Sequence, residues 1–64
     1  MIEELMKAAA ERPSHIREGQ ALMNKLHELD PVLHKDIVFN HPEADCFYLD
    51  ERIVAFWEKV IKLP

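Results

Sequence analysis

Four histidines and a single cysteine are the side chains of this 64-residue chain best suited to chemistry. His27, His34 and His41 recur at intervals of seven, which invites a metal-site reading. A helical two-histidine site, however, wants its ligands four apart on a continuous turn. Here Asp30-Pro31 interrupts any helix between His27 and His34, and Pro42 follows His41 directly. His41 and Cys46 form the one Cys–His pair close in sequence, and no second thiolate exists to complete a zinc site. Cys46 with a histidine base would make a nucleophile pair. The chain offers no glycine-rich turn for an oxyanion, and its only glycine, Gly19, falls within a helical stretch. A domain this small also has little room for a substrate pocket. Cys46 therefore reads as a small apolar core residue between aromatics.

The acids are the next candidates. Asp45, Asp50 and Glu51 supply carboxylates, but general acid–base work needs two of them facing a cleft with separated pKa values. Asp50 reads instead as the N-cap of a helix and Glu51 as an acid in its first turn. The alternating oxygen ligands and central glycine of an EF-hand are absent. No catalytic residue, metal, cofactor or small-molecule substrate is expected.

The elements that would position these residues are helical. Ile2, Leu5, Met6, Ala9 and Ala10 recur at three and four over a first helix from about Ile2 to Glu11, with Glu3 and Glu4 in its first turn. Arg12-Pro13 stops it. Ser14 then reads as the N-cap of a second helix carrying Ile16, Leu22, Met23, Leu26 and Leu29 on one side. Asp30-Pro31 is a cap followed by a proline at the first helical position, so it ends that helix and starts a third, short one to about Val38. Val32, Leu33 and Ile37 are its apolar residues. From Phe39 to Asp50 the period fails, and Asn40-His41-Pro42 reads as a turn. A last helix from Glu51 to about Lys62 carries the strongest amphipathic stripe: Ile53, Phe56, Trp57, Val60 and Ile61. There is no strand-like alternation and no repeat.

The expected fold is thus all-α: one domain over residues 1–64, a compact bundle of three or four short helices. At this length little stability is to spare, and one cysteine forms no internal disulfide. Burial of leftover apolar surface against a second copy is the expected remedy, making the chain a homodimer. Gly19, Ile53, Phe56, Trp57 and Val60 are the expected core or dimer-packing residues, with Trp57 as the dimer anchor. Glycine in a helix interior costs ~1 kcal/mol against alanine. Gly19 therefore marks the close approach of another helix, within the protomer or across the dimer.

The chain is 48% hydrophobic and 31% charged, which is globular rather than disordered. Its apolar runs are too short to span a membrane, and the N-terminus is acidic where a signal peptide is basic, so the cytoplasm is expected. The net charge of −4 sets it against direct nucleic-acid binding. A helix-turn-helix drawn through the second and third helices would offer bases only Lys35 and His34, beside Asp36. One stretch leans toward binding a protein. Asp36 to Glu51 holds five acids and no lysine or arginine, with Phe47 and Tyr48 inside it. Aromatics anchor interfaces, and surrounding acids steer a basic partner. Glu43, Asp45, Phe47, Tyr48 and Asp50 are the candidate partner-binding residues.

The segments Arg17–Asn24, Ala44–Tyr48, Arg52-Ile53 and Phe56-Trp57 resemble small uncharacterised all-α proteins of temperate bacteriophages and prophages, over about residues 13 to 57. That resemblance carries no functional residues. It implies a bacterial host cytoplasm and a protein that binds a host protein to alter host growth or the choice between lysis and lysogeny. The expectation is a non-enzymatic protein–protein interaction module. The alternative is a regulator linked to nucleic acid, through direct DNA binding or acidic mimicry of DNA.

Overall fold

A computed structural model describes residues 1–61. Four helices follow one another: α1 (Ile2–Ala10), α2 (Glu18–Leu29), α3 (Pro31–Asn40) and α4 (Ile53–Ile61). Short 3-10 turns at Pro42–Ala44 and Asp50–Arg52 bracket the irregular stretch before α4. Among the described residues there is no strand, and no helix is long and apolar enough to cross a membrane. The Cα radius of gyration is 10.6 Å, close to the ~11 Å that chain-length scaling gives a folded domain of this size. The expected Lys62 end of the last helix lies outside the described residues.

The elbow between α2 and α3 forms where cap and proline place it. The Asp30 side chain accepts a hydrogen bond from the Leu33 N–H at 3.0 Å, and Pro31 takes the first helical position. Proline has no N–H to satisfy there and its φ is already helical. The start of α2 departs from expectation. Ser14 caps nothing: residues 12–17 form a turn, closed by the Ile16 N–H on the Pro13 carbonyl at 3.0 Å. Arg12 stitches this turn to the end of α1, donating to the carbonyls of Ala9 and Ile16. The helix begins at Glu18, so Gly19 lies in its first turn, not its interior.

α2 is the central element, packed against α1, α3 and the second 3-10 turn. Leu22, Met23 and Leu26 from its inner face join Leu5, Ala9, Ile37, Ala44, Cys46, Phe56 and Val60 in one core. Leu33, Val38, Phe47, Ile53 and Trp57 pack against it half-buried. Fully burying a Leu, Met or Phe side chain is worth ~1.5–3 kcal/mol, so this small set carries most of the driving force.

Two amphipathic patterns are narrower than the sequence suggested. In α1 only Leu5 and Ala9 are buried, whereas Ile2, Met6 and Ala10 stay exposed on one flank. In α3, Ile37 is buried and Leu33 half-buried, but Val32 faces water at 78% exposure. α3 also runs on to Asn40 and takes in Phe39.

Candidate functional site

The irregular stretch between α3 and α4 is held by hydrogen bonds from several parts of the chain. The Asp45 carboxylate accepts the Phe47 N–H at 3.2 Å, folding the backbone into a local turn. Arg17, which precedes α2, donates through Nη2 to the Phe47 carbonyl. Arg52 donates to the Pro42 carbonyl at 3.0 Å. The Cys46 thiol donates to the Gly19 carbonyl at 3.5 Å. Asp50 accepts the Gly19 N–H on Oδ1 at 3.0 Å, with Arg17 Nε 4.0 Å from the same oxygen.

That last bond corrects the expected role of Asp50. Its side chain does not cap its own helix; it caps α2, filling the place of the N-cap side chain that Arg17 does not supply. A carboxylate on the N–H of the second helical residue satisfies an orphan donor and meets the positive end of the helix dipole. The close approach expected at Gly19 is made by backbone of this stretch rather than by another helix. A Cβ there would meet the Cys46 carbonyl group and Asp50 Oδ1.

These bonds leave one large group outside. Tyr48 is 77% exposed, with Leu49 exposed beside it. Phe47 is half-buried on the core and meets the Tyr48 ring edge-on, centroids 4.7 Å apart at 71°. Of the five sequence-designated partner residues, Asp45 and Asp50 are thus engaged in shaping the loop. Phe47 forms its base, and Glu43 and Tyr48 are exposed. Arg17 and Arg52, which lie outside the acidic segment in sequence, donate to its Phe47 and Pro42 carbonyls, and Arg17 also stands 4.0 Å from the Asp50 carboxylate.

The histidines are placed differently from one another. His27 and His34 meet across the α2–α3 elbow, ring centroids 4.8 Å apart in an edge-to-face arrangement. Burial, and then the neighbouring His27, hold His34 below its ordinary value, with Asp45 opposing them. His41 lies between two carboxylates, its Nε2 3.6 Å from Asp36 and its Nδ1 3.6 Å from Glu43, contacts that are ionic only when it is protonated. Among the described residues no three His, Cys, Asp or Glu side chains are grouped to hold a metal ion. Burial pushes the Cys46 thiol up to about 12, so at neutral pH it is a thiol and a weak nucleophile.

The residues named for core or dimer packing divide as well. Gly19, Phe56 and Val60 are buried within the protomer, and Ile53 and Trp57 are half-buried. The centre of the α4 stripe is therefore used internally. Its outer flank, Trp57 with Ile61, joins Ile2, Met6 and Ala10 of α1 in lining an apolar groove of about 450 Å³. A signal for it lies in α1, whose apolar residues outnumber those one core-facing stripe can bury. No family model, no curated protein and no solved structure matches this chain.

Proposed function

We propose that this chain is a small, non-enzymatic protein–protein interaction module, which docks a partner protein through the Tyr48 loop and pairs with a second copy of itself. The observation that carries the reading is the exposure of Tyr48 at the apex of a loop fixed on several sides. An aromatic held in place before binding loses little conformational entropy on docking, which is how a few residues come to dominate an interface. Phe47 packs edge-on against the Tyr48 ring, and Leu49 widens the apolar tip. Glu43, Asp45, Asp50 and Glu51 flank it in sequence, so the partner that fits has an apolar pocket with a basic rim.

The burial of Cys46 and its raised pKa support a structural role for the one thiol. The resemblance to small bacteriophage and prophage proteins supplies a context, a host protein in a bacterial cytoplasm. Self-association follows from size: a chain of 64 residues leaves Val32 and Phe39 largely in water. A second copy is the partner always present at matching concentration.

A photo-crosslinking phenylalanine analogue in place of Tyr48 tests the docking claim in bacterial lysate. The same analogue at Val54, which is equally open to water on α4, serves as control. The expected result is a nuclease-insensitive protein adduct from position 48 and none of the same mass from position 54. Matching adducts from both positions, or none from 48, would overturn it.

A further inference from the structure

We infer that α3 is the seam of the homodimer, paired antiparallel with the α3 of a second copy about a two-fold axis between Lys35 and Asp36. The inference rests on the proposed self-association and says which surface performs it. An α3 that only closed the protomer's own core would be apolar on one side. Its inner side does carry buried Ile37 with Leu33 and Val38 half-buried, yet Val32 and Phe39 stand 78% and 72% exposed on the opposite side. Two large apolar side chains left in water on that outer side are surface that a second copy would bury.

The outward residues have a definite order. Val32, Lys35, Asp36 and Phe39 follow the i, i+3, i+4, i+7 spacing of one helical face. Two copies crossing antiparallel about the midpoint of that face bring Val32 against the partner's Phe39, and Lys35 against the partner's Asp36. The face is therefore its own complement in both shape class and charge, the condition an isologous two-fold interface must meet. A different partner would need the same alternation by coincidence. Asp36 is already positioned for this: Asn40 Nδ2 donates to its Oδ1 at 2.7 Å and His41 Nε2 stands 3.6 Å from its Oδ2. Its carboxylate keeps lone pairs for an ammonium arriving from outside.

The seam is short. Ten residues of helix span about 15 Å, so the buried area falls below that of a standard interface and the dimer should be concentration-dependent. Sedimentation velocity from about 10 µM to about 1 mM brackets the affinity such an area supports. The wild type should move from one toward twice the protomer mass across the series. Phe39→Ser should weaken association by about tenfold or more, as loss of an interface's one aromatic anchor does. Lys35→Glu, which sets like charges across the axis, should weaken it roughly three- to tenfold, and adding Asp36→Lys should restore it. Met6→Ser, in the α1–α4 groove, should leave it unchanged, with far-UV circular dichroism confirming that each variant stays helical. A monomer throughout the series would remove self-association and the seam together. A dimer indifferent to Phe39→Ser and lost with Met6→Ser would leave self-association standing and overturn α3 as its seam.

Discussion

Replacing Gly19 by alanine sets two effects of opposite sign against each other. Gly19 has helical backbone in the first turn of α2, and by helix propensity alone alanine should gain up to ~1 kcal/mol. The local packing says otherwise. A Cβ would stand 2.9 Å from Asp50 Oδ1 and 3.0 Å from the Cys46 carbonyl carbon, and closer still to that carbonyl's oxygen. Contacts between heavy atoms are favourable near 3.5–4.0 Å, so the backbone at Cys46 must retreat by about 1 Å. Overpacking of that kind costs ~1–3 kcal/mol. The retreat also strains the bond from the Gly19 N–H to Asp50, a cap worth ~1 kcal/mol. The clash and the lost cap outweigh propensity, leaving a net loss of about 2 kcal/mol. For a domain of this size that lowers Tm by roughly 8–16 °C. Thermal and urea unfolding followed by far-UV circular dichroism reads both values. Because Gly19 and Asp50 share one contact, Gly19→Ala with Asp50→Ala should cost less than the two single losses added. A Gly19→Ala protein as stable as the wild type, or more so, would refute the close approach and leave propensity as the only effect at this position.

Asp50→Ala alone should cost ~1 kcal/mol through the lost cap on α2, and Asp50→Asn less, because the amide oxygen can still accept the Gly19 N–H; equal losses from both would show that charge, not the hydrogen bond, is what matters. Burial of Cys46 should make a thiol reagent label the folded protein far more slowly than the urea-unfolded chain; equal rates would contradict the burial. The same pKa, about 12 in the folded state against an ordinary 9.0, means that the unfolded thiol ionises first. Stability should therefore fall as pH rises from about 9 toward 12, and Cys46→Ala should flatten that fall. His34 has the opposite pH sense: held below its ordinary 6.5 by burial and His27, it takes up a proton in the unfolded chain before the folded one. Stability should be full above about 6.5 and decline on acidification, and His34→Gln should flatten the decline between about pH 7 and pH 5; an unchanged acid profile would remove His34 as its cause.

The parts of the fold legible in the sequence are those decided by near neighbours. Asp30 and Pro31 carry the α2–α3 elbow within four residues, and the α4 stripe of Ile53, Phe56, Trp57, Val60 and Ile61 contains the buried Phe56 and Val60 but also the exposed Ile61. The start of α2 at Glu18, rather than just after Ser14, has a non-local reason. Ser14 is a good cap by type, but the group that caps α2 comes from Asp50, thirty-one residues beyond the Gly19 N–H that it accepts. Sequence distance also hides the need for Gly19, whose close neighbour Cys46 lies twenty-seven residues away. The acidic segment reads as uniformly negative because Arg17, thirty residues before Phe47, reaches its carbonyl only in the folded chain. Val32 was counted with Leu33 and Ile37 because a short helix with apolar residues on both sides gives no period to separate them.

The docking claim is tested most directly by capturing proteins from bacterial lysate on immobilised wild-type chain and on Tyr48→Ala, each with and without nuclease. The Tyr48 side chain is too exposed for its loss to disturb the core, so the variant should remain helical. The expected result is a bacterial protein retained by the wild type and lost from Tyr48→Ala. The same protein held equally by both columns, or retention that disappears from both on nuclease treatment, would contradict the Tyr48 loop as a protein-docking surface.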